Sequence, residues 1–158
     1  MAAQLRIRRT ARAIVLNDRE EILLIKHSDI VSANPNEPDR LTYWVAPGGG
    51  VEENETYEDA AIRELKEETG VDVEALKGCI LERDIDLVYG GELVTCRERF
   101  FLACIEGRPA PVRFKILPEE NISDFRWWPL SEIEHSAEIF FPEDLTNLMK
   151  NVINPKIE

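Results

Sequence analysis

Residues 49–71 read GGVEENETYEDAAIRELKEETGV, and the spacing of glycine, arginine and glutamate in this stretch decides the fold. A glycine-rich loop leads to Thr56, a good helix N-cap, with Asp59 three residues later as an acidic form of the capping box. Gly70 supplies the stop of the same helix. The stretch therefore predicts a loop that leads into a short helix between Thr56 and Gly70.

The predicted helix carries three carboxylates on one side. At roughly 100° per residue, Glu64, Glu67 and Glu68 fall within a sector of about 100°, next to an apolar stripe. Glu64 and Glu68 repel each other at a spacing of four residues, which a solvated surface helix does not require. Mg²⁺ prefers oxygen ligands and would relieve this repulsion. The pattern therefore favours a divalent-metal site for a diphosphate over a charged surface helix.

The run resembles, at every specified position, the signature of the Nudix hydrolases. That signature is glycine, five residues, glutamate, seven residues, then Arg-Glu-aliphatic-any-Glu-Glu-any-Gly-aliphatic, and here it extends from Gly49 to Val71. Residues 43–48 and 126–130 look like the strand and turn before the family's loop and like a late strand of its fold. The resemblance implies an α+β fold, an α/β/α sandwich with a mixed central sheet, and one domain over residues 1–158.

The resemblance also implies hydrolysis of a nucleoside diphosphate linked to another group, with Mg²⁺ or Mn²⁺ as cofactor. By this resemblance Glu64, Glu67 and Glu68 are metal ligands, and Glu64 is a candidate for orienting or deprotonating the attacking water. A backbone carbonyl of the glycine loop, assigned to Gly49, would be a further ligand. We therefore expect catalysis by metal-activated water.

Other residues of the motif are expected to support these ligands. Arg63 would pair with Glu55 and Glu67 and so hold the carboxylates in position. Gly48 and Gly50 flank Gly49 and would allow the backbone to approach the substrate closely.

Clues to the substrate are weaker. Tyr89 lies eighteen residues beyond Val71, a spacing that resembles a tyrosine marker of dinucleoside polyphosphate hydrolases. Glu143 and Asp144 follow Phe-Phe-Pro and resemble the aromatic-Pro-acidic pair that reads a purine edge in nucleotide-sanitising members. Each clue also has a purely structural explanation. Tyr89 would be a turn residue before two glycines, and Glu143 and Asp144 would favour the N-terminus of a helix. Asp86 stands where ADP-ribose enzymes have proline, which argues against that substrate, so ADP-ribose or a nucleotide sugar is kept only as the alternative.

The composition excludes several classes of protein. The chain has 158 residues and a net charge of -12, which argues against stable nucleic-acid binding and against an anionic membrane surface. No apolar run approaches the length of a membrane span, so we expect a cytoplasmic protein, monomeric or homodimeric, with a small nucleotide as its partner. Cys96 and Cys104 are expected to be buried free thiols, and His27 and His135 to be capping or surface residues.

The remaining pattern predicts the other elements. We expect a surface loop at 28–40, strands near 5–16, 21–27, 43–47, 77–88, 94–105 and 124–128, and a last helix from about 142 to 152 with Pro142 in its first turn. Candidates for a further carboxylate near the metal are Glu98, Glu119 and Glu120, and basic residues that could reach phosphates are Arg12, Lys26 and Arg40. A non-catalytic Nudix-fold nucleotide-binding or regulatory module is the alternative to the enzyme, and the presence of all three glutamates favours the enzyme.

Overall fold

A computed structural model describes residues 4–28, 36, 42–107 and 122–153. In chain order its elements are β1 (Ile7–Leu16), β2 (Glu21–Ser28), β3 (Thr42–Val45), β4 (Gly48–Gly50), α1 (Tyr57–Thr69), β5 (Cys79–Tyr89), β6 (Glu92–Cys104), β7 (Ile122–Pro129), α2 (Leu130–His135), β8 (Phe140–Phe141) and α3 (Leu145–Ile153). Most of the predicted loop at 28–40, together with Arg40, Glu119 and Glu120, lies outside the described residues. None of the described helices is long and apolar enough to cross a membrane.

The sheet is mixed and has apolar cores on both faces. Its strand order is β5-β6-β1-β2-β3-β8, with β4 beside β1 and β7 beside β2. Side chains alternate between the faces along β1, since Ala13 packs in the core with α1 whereas Ile14 packs in the core with α2 and α3. The α1 core includes Tyr57, Ala60, Ala61 and Leu65, and the opposite core includes Trp44, Phe100, Trp128, Ile133 and Met149. The predicted α+β sandwich with a mixed central sheet is confirmed.

The strands on either side of β1 bring β4, the glycine strand Gly48–Gly50, to the middle of the sheet. β1 pairs in parallel with β6 along its whole length, from Ile7↔Thr95 to Leu16↔Cys104. On its other side β1 pairs with β4 in its first half and meets β2 only at Leu16↔Ile22. β1 and β2 therefore diverge, and the chain from β3 to β4 enters between them. The Ala13 N–H donates to the Pro47 carbonyl at 2.9 Å there.

α1 begins and ends where the sequence predicts. The Thr56 Oγ1 accepts a hydrogen bond from the Asp59 N–H at 3.0 Å, which satisfies one of the free donors at the helix start. Gly70 has φ 79°, a left-handed conformation, and its N–H donates to the Lys66 carbonyl. The predicted cap and stop are confirmed.

Four expectations about the other elements need correction. α2 was not predicted, because six residues give too short a periodic pattern. The predicted strand 43–47 ends at Val45, since Pro47 offers no N–H for a ladder. α3 begins at Leu145, whose N–H is bonded to the Pro142 carbonyl at 3.1 Å, so Pro142 precedes the helix instead of lying in its first turn. Cys96 is buried as expected, but Cys104 is exposed because it is the last residue of β6.

Candidate functional site

The glycine strand lies directly against two of the motif's carboxylates. The Gly48 N–H donates to Glu68 Oε1 at 2.8 Å. A Cβ at Gly49 would lie 2.6 Å from the carboxylate carbon of Glu64, so a side chain at this position would displace that carboxylate. Glu64 and Glu68 are one helical turn apart on α1. The structure therefore places these two carboxylates side by side against consecutive glycines.

Arg63 connects the other acidic residues of the motif. Its guanidinium donates to both carboxylate oxygens of Glu55, at 2.8 and 2.9 Å, and to the Gly50 carbonyl at 3.0 Å. Its Nη1 donates to Glu64 at 3.0 Å and to Glu67 at 3.2 Å. The hydrogen bonds from Arg63 lower the pKa of Glu55 to about 2, and those to Glu55 raise the pKa of Arg63. The predicted pairing of Arg63 with Glu55 and Glu67 is confirmed, and it extends to Glu64.

The donor atoms at this place suit a hard divalent cation. Carboxylate oxygens and a glycine backbone are ligands that Mg²⁺ accepts, and the Glu64 carboxylate lies directly against Gly49. Within residues 4–28, 36, 42–107 and 122–153, however, no three His, Cys, Asp or Glu side chains converge as a metal-binding group. Glu67 is turned toward Arg63 and its side chain is 58% exposed, so it has room to rotate. The site fits the cation in chemistry and needs a side-chain movement to complete it.

A second charged group lies on the sheet face opposite α1. Glu98, with its side chain only 4% exposed, accepts hydrogen bonds from the Nε of Arg12 and the Nε of Arg83, both at 3.0 Å. Arg12 also donates to the Ala46 carbonyl at 2.9 Å, just before the glycine strand. Burial by itself would lower the pKa of Arg12, but the Glu98 carboxylate and, less strongly, Glu68 raise it. Glu98 was a candidate for a further carboxylate near the metal. In the structure both of its carboxylate oxygens accept hydrogen bonds from arginine side chains.

Glu143 and Asp144 were predicted to read a purine edge, and of these two Glu143 contacts the charged group around Glu98. The Nη1 of Arg83 donates to Glu143 Oε2 at 3.1 Å. Asp144 instead accepts a hydrogen bond from the Asn147 side chain at 2.7 Å, at the start of α3. Glu143 also lines a cavity of about 320 Å³ beside α2 and α3, whose lining includes Glu134, Glu138, Phe140 and Leu145. The sequence alone did not indicate Arg83 as a site residue, because its pairing with Glu98 depends on the register of β5 and β6.

Tyr89 reaches the glycine strand through another arginine that the sequence did not single out. Tyr89 is 51% exposed, and the guanidinium carbon of Arg8 lies 3.8 Å from its ring centroid. A Cβ at Gly50 would lie 3.1 Å from the Arg8 Nη2, and Arg8 Nη1 donates to Thr10 Oγ1 at 3.0 Å. Tyr89 is therefore more than a turn residue, since it stacks on the arginine that borders Gly50.

His27 is not the capping or surface residue that was expected. Its ring stacks on Tyr43, with centroids 5.5 Å apart and planes at 6°, and its Nε2 is buried without a hydrogen-bond partner among the described residues. Burial, and secondarily the charge of Arg12, lower the pKa of His27 to about 4. The imidazole is therefore neutral at pH 7. A lone histidine at a strand end carried no signal of this burial.

Comparisons with known proteins agree with this geometry. A family model described as NUDIX domain matches residues 6–149. An RNA pyrophosphohydrolase of Wolbachia pipientis subsp. Culex pipiens (strain wPip) is 29% identical over 107 residues, which cover 63% of this chain and 66% of that protein. A putative 8-oxo-dGTP diphosphatase of Bacillus subtilis (strain 168) is 42% identical over 60 residues, covering 38% of this chain and 33% of that protein. The match thus spans 66% of the length of the first relative and 33% of the length of the second.

A solved structure shows the same fold at low identity. The crystal structure of a MutT protein from Methanosarcina mazei Go1 superposes with a TM-score of 0.68 at 16% identity, covering 98% of this chain and 100% of that one. At this identity the likeness speaks for the fold alone. The complete motif, its placement between glycine strand and helix, and the family match over residues 6–149 lead to one conclusion: the chain belongs to the NUDIX domain family.

Proposed function

We propose that this protein is a Mg²⁺- or Mn²⁺-dependent hydrolase of a diphosphate linkage in a nucleoside diphosphate-X substrate. The observation that carries the proposal is the placement of Glu64 and Glu68 against Gly48 and Gly49. Acidic side chains that only decorate a surface helix have no need to pack against a glycine backbone. Two adjacent carboxylates beside a glycine backbone instead offer the oxygens that a diphosphate-bound cation requires.

Each residue of the motif has a defined task in this proposal. Glu64, Glu67 and Glu68 bind the cation, together with the Gly49 carbonyl. The bound cation supplies Lewis acidity at the diphosphate and lowers the pKa of a water molecule. Glu64 orients or deprotonates that water. Arg63 holds Glu64 and Glu67 through its hydrogen bonds at 3.0 and 3.2 Å and ties Glu55 to the Gly50 carbonyl.

The names of the relatives narrow the class of substrate. One is an RNA pyrophosphohydrolase and another a putative 8-oxo-dGTP diphosphatase, which supports a nucleotide with a phosphoanhydride bond. We therefore place nucleoside triphosphates, oxidised nucleotides and dinucleoside polyphosphates first, and ADP-ribose and nucleotide sugars second. Gly48, Gly50, Tyr89, Glu143 and Asp144 are the proposed substrate contacts. A cytoplasmic location and a monomeric or homodimeric state stay predictions from composition.

The test combines a substrate screen with two variants. Wild-type protein is incubated with each nucleotide class, and with a short RNA bearing a 5′-triphosphate, in Mg²⁺, Mn²⁺ or EDTA, and the products are identified. For the best substrate, Glu67→Gln and Glu68→Gln are expected to lower kcat/KM at least about 100-fold, because each removes a proposed metal ligand. Glu134→Gln is the matched control, since Glu134 pairs with Lys150 far along the chain from the motif.

The outcomes separate an enzyme from a binding module. Full activity in both motif variants, or equal activity in EDTA, would contradict the assignment. If no substrate is cleaved but nucleotides bind, the non-catalytic module is the correct description. Thermal unfolding of each variant shows whether a loss of turnover reflects the site or the fold.

A further inference from the structure

Arg83 is held on one side by a buried carboxylate and on the other by an exposed one. Its Nε donates to Glu98 Oε1 at 3.0 Å and its Nη1 to Glu143 Oε2 at 3.1 Å. The Glu98 side chain is 4% exposed, whereas that of Glu143 is 54% exposed. The guanidinium also lies over the Phe100 ring, 5.7 Å from its centroid. Glu98 and Phe100 therefore position Arg83 without help from Glu143.

The charges of Arg12, Arg83 and Glu98 do not cancel among themselves, and two further carboxylates lie near them, Glu143 beside Arg83 and Glu68 near Arg12. Arg12 and Arg83 share the carboxylate of Glu98, so the three side chains carry a net single positive charge. This positive charge occurs in a chain whose net charge is -12. It also borders the glycine strand, because Arg12 donates to the Ala46 carbonyl at 2.9 Å. Arg12 thus connects the group to the glycine strand and lies within electrostatic reach of Glu68, one of the proposed metal ligands.

We propose that Arg83 binds a phosphate group of the nucleotide and that Glu143 is its displaceable counter-ion. The inference rests on the proposed function, since it assigns a phosphate of the same substrate. An ion pair with a half-exposed partner contributes little to stability, whereas a guanidinium binds phosphate through strong, charge-assisted hydrogen bonds. An incoming phosphate takes the place of the Glu143 carboxylate at Nη1, while Nε stays on Glu98.

This role for Glu143 is an alternative to the direct substrate contact given above, in which its carboxylate reads a purine edge. A carboxylate that hydrogen-bonds a base contributes affinity only for ligands that carry that base. A counter-ion on Arg83 instead opposes every phosphate ligand, whether or not a base is attached. Neutralising Glu143 is therefore expected to strengthen the binding of a ligand with no base at all.

The test measures the binding of inorganic pyrophosphate by calorimetry in EDTA, so that divalent cations do not contribute. Glu143→Gln is expected to tighten binding about fivefold and Arg83→Gln to weaken it by a similar factor. Glu134→Gln removes the same charge from a neighbouring lining residue of the cavity, but one that pairs with Lys150. Its effect is expected to stay below about twofold if the contact with Arg83 matters more than net charge.

The double variant Arg83→Gln/Glu143→Gln separates exchange at Arg83 from a general change in potential. Its affinity is expected to equal that of Arg83→Gln alone, because Glu143 then has no cation to block. Equal tightening by Glu143→Gln and Glu134→Gln, a gain that persists in the double variant, or no pyrophosphate binding in either wild type or Glu143→Gln, each overturns the proposal. If Arg83→Gln unfolds, the comparison of Glu143→Gln with Glu134→Gln decides the matter.

This result is independent of the hydrolysis screen. Tighter pyrophosphate binding by Glu143→Gln in a protein that cleaves no nucleotide would refute the proposed function and support the anion site. Hydrolysis with unchanged pyrophosphate affinity in Glu143→Gln would do the opposite.

Discussion

At the scale of single residues, the site depends on how little space separates Gly49 from Glu64. A Cβ at Gly49 would lie 2.6 Å from the Glu64 carboxylate carbon and from its Oε1. The backbone of Gly49 is not in the left-handed region, so the space taken by a side chain is the whole obstacle. The atoms in the way are the end of a flexible side chain, and Glu64 can therefore move aside. Such a movement would separate the carboxylate from its place beside the glycines.

Gly49→Ala is therefore expected to lower kcat/KM about 100-fold with little change in melting temperature, because a displacement near 1 Å at a reacting group costs about that much. Gly50→Ala is the neighbouring control. Its new Cβ would meet only the mobile end of Arg8, at 3.1 Å, and we expect a smaller loss. Kinetics and thermal unfolding of both variants check this, and equal losses in the two would argue against displacement of Glu64.

At the scale of elements, α1 was predictable and the arginine groups were not. Thr56, Gly70 and the helical spacing of the glutamates are local signals, and the structure confirms the helix that they predict. The contacts of Arg83 with Glu98, and of Arg8 with Tyr89, join residues on different strands. They depend on the register of β5, β6 and β1, which hydrophobic patterning did not determine. The motif thus indicated the candidate metal ligands, and Arg12 was among the candidate basic residues, whereas Arg8 and Arg83 became visible only in the fold.

The N-cap of α1 is expected to affect stability more than activity. Thr56→Ala removes the oxygen that accepts the Asp59 N–H and should lower the free energy of unfolding by about 1 kcal/mol. The proposed metal ligands begin at Glu64, two turns further along α1, so kcat/KM should be nearly unchanged well below the melting temperature. Urea unfolding measures the first effect, and Thr56→Ser, which keeps the hydroxyl, should restore most of it.

At the scale of the whole molecule, stability is coupled to pH through a histidine of β2. The His27 imidazole is buried next to Tyr43, and its pKa of about 4 lies below the ordinary value of 6.5. Between these two pH values the unfolded chain binds a proton at this histidine and the folded protein does not. The unfolding free energy therefore falls as the pH drops from 6.5 to 4. Below pH 4 both states are protonated at His27, and this group causes no further change.

Replacing His27 should flatten this part of the pH profile. A shift of this size corresponds to about 3 kcal/mol of unfolding free energy across the window. His27→Phe keeps a ring against Tyr43 and cannot be protonated, so its unfolding free energy should vary less between pH 6.5 and 4. His135→Gln, at an exposed histidine, is the control for the loss of a histidine. A slope unchanged by His27→Phe would show that His27 is not the titrating group.

The parallel pairing of β1 with β6 determines when the site can form as the chain is made. Ile7 pairs with Thr95 and Leu16 with Cys104, so the strand that completes one side of β1 is 88 residues distant along the chain. Contacts of such long range must overcome a large loop-closure entropy and form late in folding. During synthesis α1 leaves the ribosome before β6, because it precedes that strand in the chain. The glycine strand that contacts Glu64 and Glu68 precedes α1, but a chain that ends before β6 lacks Glu98, the buried carboxylate that holds Arg12 and Arg83.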